Sequence, residues 1–226
     1  MAHEHEKHHH HHHDHDDHHH HDHDDRHHSH DHAHEHFHDW HSPQYVGDWI
    51  AKDRRRERER LPIIERLVAA VPFPREAAID VIDIGAGEGF VTNLLLQAFP
   101  HARVTLQDFS RPMLERARQR FAGLAGRLNY VQSDLRDPTW PKAVGGPFDL
   151  AVSAIAIHNV RELSAIAACY EAVHGILKQG GCFLDCDHFD RHGGVPLHLH
   201  MLRVAGFRNT EVIWHEHPTA VLKALV

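Results

Sequence analysis

The chain has 226 residues, with 32 acids against 24 bases and a formal charge of −8, and that charge is unevenly spread. Residues 1–41 hold 11 acids against Lys7 and Arg26, together with 22 of the 31 histidines, which leaves the other 185 residues close to neutral. A near-neutral domain has no basic footprint for nucleic acid, no apolar run approaches the roughly 20 residues of a membrane span, and the N-terminus has no signal-peptide apolar region. The length beyond residue 41 suits one domain with a full core. Cys169, Cys182 and Cys186 are odd in number and set in apolar surroundings, which points to a reducing, cytoplasmic setting.

Residues 1–41 are His–Asp low complexity. His8, His9, His10, His11, His12 and His13 form one run, and His18, His19, His20 and His21 another. Such a segment cannot bury enough apolar surface to offset the entropy of ordering, which predicts disorder. Neutral imidazoles interleaved with carboxylates suit borderline ions such as Ni²⁺, Zn²⁺, Cu²⁺ or Co²⁺, held in exchanging geometries rather than one tetrahedral site. Six consecutive histidines also match an expression tag, but a tag does not continue in the same idiom for another 28 residues.

The composition changes at Ser42-Pro43, which sets a domain of residues 42–226. The charged run 53–60 pairs Arg55 with Glu59 at i,i+4, the mark of a solvated helical face. Ile63, Ile64, Leu67, Val68 and Val71 then form an apolar stripe at helical spacing. A β-branched run over 79–84 stops at Gly85, Gly87 and Gly89, and an amphipathic segment from Phe90 to Phe99 begins at once. Strand, glycine turn and helix open a parallel α/β nucleotide-binding unit. The spacing is D-x-G-x-G-x-G from Asp83, not the dinucleotide pattern, and Glu88 would repel a pyrophosphate at the helix N-terminus. A carboxylate at Asp83 suits a ligand with a cationic amino group.

This motif resembles the first motif of the class I S-adenosylmethionine (SAM)-dependent methyltransferases, and the resemblance extends from about residue 44 to the C-terminus. It implies a Rossmann-like α/β fold: a mostly parallel seven-stranded sheet ending in an antiparallel hairpin. It also implies SAM as cofactor, with Asp83, Gly85, Gly87 and Gly89 at its binding turn. In such proteins an N-terminal helix lies over the cofactor, parts that Tyr45, Trp49, Arg56 or Arg60 match.

The second strand, 102–108, ends in Asp108, 23 residues after Gly85 and near the distance at which an acid grips ribose hydroxyls. Ser110 and Pro112 make an N-cap and an early-helix proline. The resemblance places Phe109 and Met113 around ribose and adenine. A third strand, 128–134, ends in Asp134-Leu135, similar to the pair that meets the adenine amino group. The fourth, 147–153, brings Ser153 to the border of the cofactor sulfonium and is followed by His158, where related enzymes often carry a histidine facing the reaction chamber.

A helix over 161–177 is expected to end at the C-cap turn Gln179-Gly180-Gly181, and the fifth strand to run from Cys182 to His188. Cys182 and Cys186 share a strand face but stand about 13 Å apart at roughly 3.3 Å per residue, too far to chelate one ion. Asp187 and His188 remain as lining for the acceptor. A helix over 195–206 and strands at 210–214 and 219–226 close the chain, and His198 and His200 stand near the same pocket without a spacing that demands it.

The functional expectation is methyl transfer from SAM to a small-molecule acceptor, with His158 or Asp187 as the base and the tail binding divalent metal. The alternative is a Ni²⁺ or Zn²⁺ storage or delivery protein whose methyltransferase-like domain is a SAM-binding regulatory module.

Overall fold

A computed structural model describes residues 39–226. The metal-ligand candidates His8 to His13 and His18 to His21 lie outside the described residues. Helix α1 (Pro43–Ala69) starts at Ser42, whose hydroxyl accepts from Tyr45 N–H. After it come β1 (Asp80–Ile84), α2 (Phe90–Ala98), β2 (Arg103–Asp108), α3 (Arg111–Arg120) and β3 (Leu128–Gln132). The second half adds α4 (Trp140–Val144), β4 (Phe148–Ala154), α5 (Leu163–Gly175), β5 (Leu177–Asp187), α6 (Val195–Val204), β6 (Arg208–Glu216) and β7 (Thr219–Leu225).

The seven strands form one sheet in the order β3-β2-β1-β4-β5-β7-β6. The first five are parallel; β7 runs antiparallel to β5 and β6 pairs with it at the edge. This is the expected doubly wound sheet with a terminal hairpin. The order reverses between β1 and β4, so ligands are expected at the carboxyl ends of those strands.

Strand parity divides the core. Val81, Leu150, Val152, Cys182, Leu184 and Cys186 face a cluster with Leu67 of α1, Leu95 of α2 and Leu114 of α3. Ile82, Ile84, Ala151 and Phe183 face the other side, against Trp140 of α4, Tyr170 of α5 and Leu202 of α6. Strands covered on both faces read as near-continuous apolar runs, as these do.

Two expectations change. Gly180 and Gly181 do not end a helix but sit inside β5, where the pairing with β4 shifts register between Phe148 and Leu150. Gly180 has φ +76°, so the glycine pair serves a bulge, which needs the same left-handed conformation as a helix stop. Trp40, inside the segment expected to contribute no core, packs with Trp49 against Val46, Ile50 and Met113.

Candidate active site

The glycine turn uses its three glycines differently. A Cβ at Gly85 would overlap Ala156 Cβ, and one at Gly89 would overlap the Phe121 ring. Those two permit close packing. Gly87, at φ +56°, has open space where its Cβ would point, so a ligand can approach the backbone there.

Its surroundings tie the turn to neighbouring strand ends. Gly87 N–H donates to Asp108 Oδ2 at 2.8 Å, and Ser110 N–H donates to Oδ1 at 2.7 Å. Gly85 N–H donates to Gln107 Oε1 at 3.0 Å, while Gln107 Nε2 donates to the Ser133 carbonyl at 2.6 Å. The Asp108 carboxyl is pushed up by burial, against these backbone donors. Asp83 lies beneath, 1% exposed, and its Oδ2 accepts from Thr92 N–H at 3.1 Å and the Thr92 hydroxyl at 2.6 Å. Burial raises it to about 7 despite those bonds. Gly87 thus offers an open backbone approach next to the Asp108 carboxyl, with the Asp83 carboxyl buried beneath the turn.

The other cofactor candidates range from half-buried (Phe109, Asp134, Leu135) to buried (Met113, Ser153). The Phe109 ring lies against the His41 ring, centroids 4.3 Å apart, and the Arg136 guanidinium is 5.8 Å from it. Asp134 binds Arg136 through both carboxylate oxygens, which holds its pKa below the usual range. Leu135 packs against the α5 side of the sheet. Met113 is 4% exposed beneath Trp40 and Trp49. Ser153 is fully buried. It pairs in register with Asp185, and neither Ser153 Oγ nor Asp185 Oδ1 has a hydrogen-bond partner among the described residues. Its strand-end position is as expected, but its hydroxyl does not open on the cleft.

His158 and Asp187 come together. His158 Nδ1 is 2.6 Å from Asp187 Oδ1, His158 N–H donates to Oδ2 at 2.9 Å, and His188 N–H donates to Oδ1 at 2.7 Å. Burial works to raise Asp187, but the hydrogen bonds and charge of His158 and the His188 amide outweigh it, so its pKa falls below the carboxylate norm. An ionised carboxylate only accepts, so Nδ1 carries the proton and Nε2 of the neutral ring keeps its lone pair.

The turn carrying His158 (Ile157–Val160) is bracketed by Ile155 at φ +53° and Arg161 at φ +71°. A β-branched residue in the left-handed region is strained, and such strain clusters at functional sites. Ile155 is held by Ile155 N–H donating to the Cys186 carbonyl at 2.7 Å. The next residue is Ala156, the one packed on Gly85, so the glycine turn and the His158 turn abut.

A small cavity of about 10 Å³, room for about one water, lies beside the dyad, lined by His158, Asp187, His188 and His192 with Ile157, Ile166, Tyr170, Phe189 and His198. His198 Nε2 is 2.9 Å from the His192 carbonyl and its Nδ1 is 2.8 Å from the Tyr170 hydroxyl. Tyr170 and His192 escaped sequence reasoning. Tyr170 sits in an apolar helical stripe and gives no signal, whereas His192 is marked by the Gly193-Gly194 pair that follows it. His200 does not line this cavity. Among the described residues, no group of three His, Cys, Asp or Glu side chains is arranged to hold a metal ion.

Residues 81–181 match a family model described as a methyltransferase domain. Solved structures with the same architecture include PigF with SAH (TM-score 0.66, 15% identity, covering 83% of this chain and 60% of that one). A Haloferax volcanii putative methyltransferase solved with the Trm112 activator aligns at TM-score 0.64 and 16% identity, over 81% of this chain and 96% of that chain. The fold is that of the class I methyltransferases. Among curated relatives, the trans-aconitate 2-methyltransferase of Paracidovorax citrulli is 38% identical over 112 residues, 50% of this chain and 37% of that protein. The malonyl-[acyl-carrier protein] O-methyltransferase of Neorickettsia risticii is 37% identical over 95 residues, 41% of this chain and 35% of that one. The chain spans about a third of the length of such relatives. Within this methyltransferase fold, Asp83, the glycine turn and Asp108 lie on the matched segment, as does His158, whereas Asp187 lies beyond it.

Proposed function

We propose that the chain is a SAM-dependent methyltransferase that acts on an oxygen of a small-molecule acceptor, with His158 as general base and Asp187 holding its ring. The observation that carries this reading is the His158–Asp187 pair set against the glycine turn through Ala156. Asp83, Gly87 and Asp108 are the residues that would hold the cofactor; Phe109, Met113, Asp134, Leu135 and Ser153 are secondary candidates. SAM supplies a methyl group already activated on a cationic sulfur, so the protein's task is alignment, water exclusion and removal of one proton. His158 Nε2 takes the acceptor proton, and the ionised Asp187 stabilises the imidazolium that results. One of the relatives above is named as an O-methyltransferase, which is compatible with oxygen as the acceptor atom.

The test is steady-state kinetics on the variants. His158→Gln is expected to lower kcat about a hundredfold or more with SAM affinity unchanged, and Asp187→Asn to lower it similarly by releasing the ring. Full turnover in a folded His158→Gln protein would remove the base role.

Residues 1–41 are further proposed to take up divalent ions such as Ni²⁺ or Zn²⁺, supported by their His–Asp composition. A cytoplasmic setting is supported by the three buried free thiols. Among the described residues no helix is long and apolar enough to cross a membrane.

A further inference from the structure

Strand β5 carries two buried carboxyls on one face, Asp185 and Asp187, roughly 6.6 Å apart at about 3.3 Å per residue. Their surroundings differ. Asp187 accepts from N–H donors at both oxygens, two on His158 and one the His188 amide. Asp185 meets the Tyr170 hydroxyl at 3.3 Å through Oδ2, and its Oδ1 has no hydrogen-bond partner among the described residues. The contacts continue beyond Tyr170. Its hydroxyl is 2.8 Å from His198 Nδ1, and His198 Nε2 is 2.9 Å from the His192 carbonyl. Tyr170 and His198 are buried as well.

Hydrogen-bond chemistry places the protons in this chain. The His192 carbonyl only accepts, so His198 Nε2 carries a hydrogen, and on a neutral ring Nδ1 is then an acceptor. The Tyr170 hydroxyl donates to it, which leaves the Tyr170 oxygen able only to accept. Asp185 Oδ2 can supply that hydrogen only as a protonated acid. The other wiring puts a second proton on His198 and makes Asp185 a carboxylate that accepts from Tyr170. It buries two separated charges and sets a second negative charge beside Asp187, with one oxygen bare. A charge-assisted O–H···O⁻ bond is about 2.5–2.7 Å long, whereas the Tyr170–Asp185 contact is 3.3 Å. Burial, then the Asp187 charge, raises the Asp185 pKa well above the carboxylate norm, and burial lowers that of His198. The other titratable groups facing the chain are Cys169 beside Tyr170 and His192 beside His198, with His158 and His188 reaching it through Asp187.

We propose that Asp185 is a neutral, protonated acid donating to Tyr170, and that the Asp185–Tyr170–His198 chain is a positioning device for the His158–Asp187 pair. It fastens the turn between β5 and α6 through the His192 carbonyl and leaves the negative charge of the two carboxyls on Asp187. That turn carries His188, whose amide is one of the donors to Asp187, and His192, whose ring centroid lies 5.7 Å from that of His158. The chain acts through Asp187 and the turn, not on the reacting atoms. Its part toward the pair rests on the base assignment of His158 above; the proton on Asp185 does not.

The test compares Asp185→Asn with the unmutated full chain by denaturant unfolding between about pH 5 and 7. Native Asp185 keeps a proton that the unfolded chain releases near 3.8, so its contribution makes the unmutated protein lose stability as pH rises. The Asn variant, whose N–H replaces the O–H to Tyr170, lacks that loss. The ratio of the two unfolding constants is expected to shift in favour of Asn by up to about tenfold per pH unit. A ratio independent of pH, a shift the other way, or an Asn variant that fails to fold would overturn the proton assignment. Hydrogen exchange tests the positioning. In Tyr170→Phe the His192 and Gly194 amides, which donate to the Phe189 carbonyl, are expected to exchange about tenfold faster or more while the β1 amides keep their rates. Asp185→Asn should leave the turn as it is. Unchanged exchange in the turn of Tyr170→Phe, or a rise shared by β1, removes the positioning role. The pH signature measured in a His158→Gln background separates this from the base assignment: if it persists while that variant keeps full turnover, the base falls and the Asp185 proton stands.

Discussion

Asp83 is a carboxyl poised to change charge near neutrality, because burial raises it to about 7 against two hydrogen bonds from Thr92. In the unfolded chain it would ionise near 3.8. The folded state therefore keeps the proton between about 4 and 7, and Asp83's contribution makes stability fall as pH rises across that window and level off above it. A cationic amine placed beside the carboxyl favours the ionised form, so its binding expels the proton. SAM affinity is then expected to rise by up to about tenfold per pH unit from 5.5 to 7 and to flatten by 7.5. Calorimetry in buffers of different ionisation enthalpy should register the released proton, and Asp83→Asn should abolish both effects. An affinity independent of pH in the unmutated protein would mean that Asp83 serves Thr92 and helix α2 alone.

At the scale of elements, the site is a meeting of two turns, one after β1 and one after β4, joined where Gly85 packs on Ala156. Gly85→Ala combines a left-handed φ of +66° with that overlap, so the His158 turn must move. The left-handed strain alone costs about 1–2 kcal/mol, and turnover should fall with the melting temperature. Gly87→Ala meets no neighbour, so its stability loss should stay within the left-handed strain of its φ of +56°, about 1–2 kcal/mol, while SAM affinity drops further, because the new methyl fills the ligand's approach. Thermal melts beside calorimetry separate the two, and a reversed pattern would reassign the open glycine. The glycine turn and the parallel sheet were legible because both write themselves locally, in φ-demanding glycines and in apolar strands. His158 and Asp187 are 29 residues apart and meet only through the β4–β5 pairing, so sequence named each but not their bond. Ser153 shows the matching limit: a strand end can be read from sequence, but which face it presents depends on register. Gly180-Gly181 shows another, since a bulge and a helix stop ask the same conformation of glycine.

For the whole molecule, the question is where the histidine-rich segment ends and the catalytic domain begins. The break at Ser42 is the N-cap of α1, yet Trp40 packs with its ring centroid 5.1 Å from Trp49 and 5.5 Å from Tyr45, and its carbonyl accepts from the Ser110 hydroxyl. His41 lies on Phe109, beside the expected adenine-contacting residues. Two truncations therefore differ. Removing residues 2–38 is expected to abolish multi-ion binding in a Ni²⁺ titration while leaving the melting temperature and SAM affinity unchanged. Removing residues 2–41 also takes away the Trp40 contacts, about 1 kcal/mol of aromatic packing, which for a chain of this size is a fall of about 2–4 °C. It should change SAM affinity as well, because Phe109 and Ser110 lose their covering. In the full chain, imidazoles with ordinary pKa values near about 6.5 are mostly neutral at pH 7.5 and mostly protonated below about 5.5, so ion uptake should collapse across that interval and release protons at its upper end. If ion occupancy instead altered SAM affinity, SAM would alter ion affinity by the same factor, and the segment would be a regulator of the domain rather than an appendage. Identical melting and SAM binding in the two truncations would return Trp40 and His41 to the tail.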